Sequence, residues 1–191
     1  PSRWRDAAAM RLAAALGRAV FLEGPFELTL GREAVLHIGG VRMPNPPGFA
    51  ATALLTLGEA HARFDLFEAL RGRLHVRSIE ATDVHLWLER AADGRPSWAS
   101  AQRSGPGSPR AAIEVGQIAL HGLAVHYHDA RSATRRSFDL DEVSATATRD
   151  DPLRLALRGR VDKQLAYAIA VEGGPLRLLQ EGSAPWPFTL D

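Results

Sequence analysis

The chain has 191 residues, 46% of them hydrophobic, which is long enough for a sizeable core and too apolar for a disordered segment. Its 23 Lys and Arg against 22 Asp and Glu leave a formal charge of +1, so no net field draws it toward nucleic acid or an anionic membrane over a distance. The absence of cysteine excludes disulfides, thiolate metal sites and a Cys nucleophile, and no run approaches the ~20 apolar residues that a membrane span needs.

Residues 4 to 19, WRDAAAMRLAAALGRA, are Ala-rich, with Leu12 and Leu16 one turn apart, and predict a helix ending near Gly17. The period then changes to two. Val20, Leu22, Phe26, Leu28 and Leu30 share one parity, and Leu36 and Ile38 resume it after the GRE turn. Gly39 and Gly40 shift the apolar parity to Val41 and Met43, as a β-bulge or a strand end would. MPNPPGF reads as a loop, because Pro44, Pro46 and Pro47 donate no backbone hydrogen bond. Ala60, Ala62 and Phe64 alternate, and DLFEALRG has the Asp cap and closing Gly of a short second helix. From Leu74 alternation governs nearly everything, with PLRLALRGRV and QLAYAIAVEGG expected to pair as a hairpin, and residues 100 to 109 (SAQRSGPGSP) form a flexible loop or linker.

An internal repeat spans that linker. At a constant offset of 39, Leu74, Val76, Ile79, Val84, Leu86 and Leu88 fall on Ile113, Val115, Ile118, Leu123, Val125 and Tyr127. Each copy reads as strand, turn, strand, with turns near Thr82-Asp83 and His121-Gly122. Repetition of a hairpin suggests an extended sheet that grows by stacking, while two ordinary hairpins in a sandwich would give the same pattern.

The stretch with the sharpest chemistry is HYHD, in which His126 and His128 share one face of a strand beside Asp129. Two imidazoles at that spacing can bind a metal, but no third ligand has a matching signature, and a solvated polar face explains both. Ser97, Ser104, Ser108 and Ser137 lack a G-x-S-x-G elbow, and the glycines give no phosphate-binding fingerprint. The expectation is no enzyme, no metal, no cofactor and no nucleic acid. The Arg71-Gly-Arg73 and Arg135-Arg136 pairs read as solvated surface, with phosphates of nucleic acid or lipid headgroups as the alternative. Trp98 and Trp186 follow turns and are expected to cap the ends of the apolar layer, whereas Trp87 occupies a polar-face slot that alternation does not explain.

The runs LGRAVFLEGPFELTLG, LHIGGVRMPNPPGF and FDLFEALRGRLHVRSIEATDVHLWLERAADGRPSW resemble the N-terminal region of the AsmA family of bacterial envelope proteins. Three details carry the likeness: Gly17-Arg18 before the first strand, the loop Asn45-Pro46-Pro47-Gly48, and LERAADGRPSW, similar to the family's L-E-R-x-x-D-G-x-x-N-W with Ser97 where Asn is usual. The second half is similar too, in LAVHYHDARS and in the Pro-Trp-Pro of GSAPWPFTLD.

The resemblance implies a periplasmic body anchored to the inner membrane by an N-terminal helix preceding this sequence, and kinship with chorein-type lipid bridges. It implies a mainly β (α+β) fold, an extended, curled antiparallel sheet forming an open groove, with an N-terminal helix and a short second helix. One domain is expected over 1–191, with the helix at 1–19, a first β segment at 20–99, the loop at 100–109 and a second β segment at 110–191. The lipid-facing wall would comprise Val20, Leu22, Phe26, Leu28, Leu30, Leu36, Ile38, Phe64, Val76, Ile79, Val84, Leu86, Leu88, Ile113, Val115, Ile118, Leu123, Val125, Tyr127, Leu155, Leu157, Tyr167 and Ile169. The expected partners are lipid, the membrane and envelope proteins. The implied function is lipid transfer between envelope membranes, and the alternative is a non-catalytic module for envelope assembly.

Overall fold

Alternation of period two across most of the chain yields strands, and the computed structural model joins ten of them into one sheet. It describes residues 5–6, 8–10, 12–13, 17–31, 33–65, 67–68, 75–99, 114–146, 152–161, 165–175 and 188–190. The strands are β1 (Phe21–Leu22), β2 (Phe26–Leu30), β3 (Ala34–Pro44), β4 (Ala53–Phe64), β5 (His75–Arg90), β6 (Glu114–Asp129), β7 (Thr134–Thr146), β8 (Pro152–Val161), β9 (Leu165–Pro175) and β10 (Phe188–Leu190). Their order is β1-β3-β4-β5-β6-β7-β8-β9-β10, and β2 follows β1 along the same edge of β3. The sheet is open at both edges, mainly β as expected.

The internal repeat takes a different form from the hairpins expected of it. Each copy is one continuous 16-residue strand, and the copies lie parallel, pairing from His75 with Glu114 to Arg90 with Asp129. The offset of 39 is therefore the register of the pairing itself. Every other pairing is antiparallel, so the sheet is mixed rather than antiparallel throughout. A parallel pair needs a crossover returning the chain to the starting end. The residues between Arg90 and Glu114 have to supply it, and the linker expected at 100–109 lies outside the described residues.

The expected turns at Asp83 and Gly122 are kinks within β5 and β6. Asp83 has a φ of 52° and Gly122 one of 69°, and the register steps over both, from Thr82↔His121 to Val84↔Leu123. The neighbouring strands break at the same height. β3 and β4 step over Gly40 and Gly58, and β7 places Asp141 as an extra residue between Leu140 and Glu142. Gly40 has the left-handed φ of 56° that glycine adopts at no steric cost. This transverse line of irregular residues shifts the parity of all five strands together. Apolar side chains thus stay on one face through the bend that bulges impose.

The helical residues Arg5, Asp6, Ala8, Ala9, Met10, Leu12 and Ala13 fall within the predicted first helix. Arg18 N–H donates to the Ala13 carbonyl at 3.1 Å across Gly17, whose φ is 65°, the geometry of a Schellman end. Phe67 and Glu68 are helical, and the Asp65 carboxylate caps them by accepting their amides at 2.9 and 3.2 Å. Among the described residues, no helix is long and apolar enough to cross a membrane.

Candidate functional site

Cross-strand partners share a face, so the register identifies the side chains that line each side of the sheet. One unbroken row reads Leu28-Leu36-Ala62-Ile79-Ile118-Ala145-Leu155-Val171, from β2 to β9. The next reads Phe26-Ile38-Ala60-Ala81-Leu120-Val143-Leu157-Ile169. Beyond the kinks follow Val84-Leu123-Leu140-Gly159-Tyr167 and Met43-Leu55-Leu86-Val125-Phe138. The opposite face is polar, with rows such as Glu27-His37-His61-Glu80 and Thr29-Val35-Arg63-Ser78-Gln117-Thr146-Arg154-Glu172.

At its β1 end the apolar face is covered. Val20, Leu22, Met43 and Leu54 are buried together, and Ala8, Ala9, Leu12 and Ala13 of the helix pack on this cluster with Phe26, Ile38, Leu86 and Leu88. Val20 and Leu22 therefore belong to a closed core rather than to an open wall. Elsewhere the wall residues Ile118, Leu123, Val125, Tyr127, Leu155, Leu157, Tyr167 and Ile169 are only half-buried. Val76 and Val84 are buried by their neighbours on the sheet, Phe64 and Ile79 are half-buried, and Leu28 and Leu30 on the edge strand are 49% and 61% exposed. Ile113 lies outside the described residues, as does the side chain of Val115.

The three motifs noted in the sequence converge on one knot at the covered end. The Arg18 guanidinium donates to the Ser97 carbonyl at 2.9 Å and also to the Ala99 carbonyl. The Glu89 carboxylate, on a buried residue, accepts the amides of Ala50 and Ala51 at 3.0 and 2.5 Å, and the Asn45 amide donates to the Ala51 and Ala53 carbonyls, both at 3.0 Å. Ser97 is fully buried, and its hydroxyl accepts the Glu89 N–H at 3.0 Å, which ties this turn to the end of β5. The intervening turn is closed by Gly94 N–H to the Ala91 carbonyl at 2.8 Å. The Arg95 amide and guanidinium both donate to Asp93 and hold its carboxyl below the usual 3.8.

Trp87, unexplained by alternation, stands on the polar face in a cluster with two histidines. Its ring centroid is 5.6 Å from those of both His85 and His126, with all three rings near parallel. His126 and His128 do share that face, and among the described residues they belong to no group of three or more His, Cys, Asp or Glu that could hold a metal ion. Ser137 Oγ lies 3.1 Å from His126 Nδ1, and Glu89 Oε2 lies 3.8 Å from His128 Nδ1. Trp98 stacks at a tilt 6.4 Å from Tyr127, at the end of the apolar layer where capping was expected, and Trp186 lies outside the described residues. No protein-family model and no curated protein matches the chain.

Proposed function

We propose that the apolar face carries lipid acyl chains, and that the chain is the periplasmic part of an inner-membrane-anchored lipid-transfer protein of the kind that the AsmA resemblance implies. The observation supporting this is the unbroken apolar row from Leu28 to Val171. Seven steps of ~4.8 Å give a trough of ~34 Å, longer than the ~30 Å hydrocarbon thickness of a bilayer. An apolar face of that extent calls for an apolar occupant. Acyl chains suit it because area alone holds them, at roughly 25 cal/mol per Å², and they slide without breaking directional bonds. The reading assigns no catalytic step to the chain, and it leaves headgroups in water at the strand ends.

A second reading, an envelope assembly module, draws on the helix that packs on the same buried cluster as Leu86 and Leu88. There the face would be filled by protein. Native mass spectrometry of the protein purified in a mild detergent separates the two. Co-purifying lipid that is retained in the wild type and lost in Leu157→Asp supports the lipid reading, and a lipid-free protein argues for the module.

A further inference from the structure

A depression of about 320 Å³ opens where the ends of β5 and β6 meet the start of β7, lined by Trp87, His126, His128, Arg135, Arg136 and Ser137. Register explains the gathering. Trp87 pairs with His126 and His126 with Ser137, while Glu89 pairs with His128 and His128 with Arg135. Arg136 pairs with Tyr127 and so belongs to the apolar face, at the point where the row Leu88-Tyr127 ends in a charge. Successive residues of a strand point to opposite faces, so Arg135 and Arg136 straddle the sheet at its rim.

Both arginines are exposed, and neither forms an ion pair among the described residues. The acid lining the depression is Glu89, whose oxygens already accept the Ala50 and Ala51 amides. Ser137 occupies His126 Nδ1 and Glu89 lies beside His128 Nδ1, so each ring has its Nε2 left to meet a ligand. Two guanidiniums and two imidazoles thus offer donors from both sides of the rim, which suits a tetrahedral oxyanion better than a planar carboxylate.

We propose that this depression binds a phosphoryl group. The site rests on rim geometry alone. That the phosphoryl belongs to a lipid rests on the function proposed above, with Arg136 placed where a chain lying along Tyr127, its cross-strand partner, would leave the apolar face.

The test follows the His126 and His128 ring signals by NMR as the wild-type protein is titrated with inorganic phosphate, glycerol phosphate and dihexanoyl phosphatidylglycerol below its micelle concentration. Saturable shifts are expected with phosphate. Affinity should fall about tenfold or more in Arg135→Gln/Arg136→Gln and stay unchanged in Arg63→Gln, an exposed arginine at the opposite rim. Absence of saturation, or a double variant that binds like the wild type while its melting is unaltered, overturns the proposal. Phosphatidylglycerol binding about tenfold tighter than glycerol phosphate identifies a lipid headgroup. Equal binding identifies a free phosphate ester, leaving the anion site standing and counting against lipid in the trough.

Discussion

Glu89→Ala is the substitution with the most to reveal about the knot. It removes the acceptor of two backbone amides, Ala50 and Ala51, from a residue that is 7% exposed. A hydrogen bond to a charged acceptor contributes about 1.5–3 kcal/mol, and here the donors sit on an exposed residue, Ala50, and a half-buried one, Ala51. The loop that carries these two amides can recover some of the loss from water, which leaves about 2–4 kcal/mol for the pair. For a chain of this size each kcal/mol lowers the melting temperature by about 2–4 °C, so a fall of about 5–15 °C is expected in a thermal melt followed by circular dichroism. Glu89→Gln keeps an acceptor oxygen and should lose about half as much. Hydrogen exchange supplies the local signature, with faster exchange at Ala50 and Ala51 and little change at Glu89 itself, whose amide is held by Ser97 Oγ. A melt within about 2 °C of wild type with unaltered exchange in that loop would refute the reasoning.

Other perturbations report on separate parts of the fold. Gly159→Ala would bring a Cβ to 2.3 Å from the Asp139 carbonyl oxygen and 2.8 Å from the Leu140 Cα, so β7 and β8 must part there, and exchange protection should fall along that pair while β3 and β4 keep theirs. The Asp93 carboxyl, depressed by the Arg95 amide first and its guanidinium second, stabilises the 91–95 turn at neutral pH, and that contribution is lost as pH falls below 3.8 through the lowered folded value. NMR titration should place its midpoint under 3.8, rising in Arg95→Ala but staying below 3.8, because the backbone bond survives; a wild-type midpoint at or above 3.8 contradicts this. Arg18→Ala deletes both donors to the Ser97 and Ala99 carbonyls and should speed exchange in residues 5–13, whereas unchanged exchange would show that the apolar contacts alone hold the helix.

The sequence makes face assignment plain and connectivity obscure. Alternation places Leu86 and Val125 on the same side because a period of two is a local property, and the structure makes them Cα partners. The parity shift at Gly39-Gly40 was equally legible, since a glycine pair inside an alternating run marks a bulge. At Asp83 and Gly122 the same signal resembles a turn, because a lone αL residue between two apolar runs looks alike whether the chain reverses or merely kinks. Only the pairing of neighbouring strands decides that, and it is non-local. The offset of 39 was visible as a repeat, yet its meaning as a parallel register depends on the residues after Arg90 carrying the chain back along the strand. Arg18, Asn45, Glu89 and Ser97 are spread over some 80 positions, and nothing in their local pattern says that they meet. Trp87 had no sequence explanation because its neighbour His126 arrives on another strand.

The central claim is that acyl chains travel on the apolar face, and site-specific photocrosslinking in cells tests it most directly. A photoreactive residue at Val125, Leu157 or Ile169, all on the apolar side by register, should trap lipid, and one at His85, Ala156 or Arg158 on the polar side should not. Crosslinks from the apolar positions to a protein, or equal lipid capture from both faces, would contradict the account.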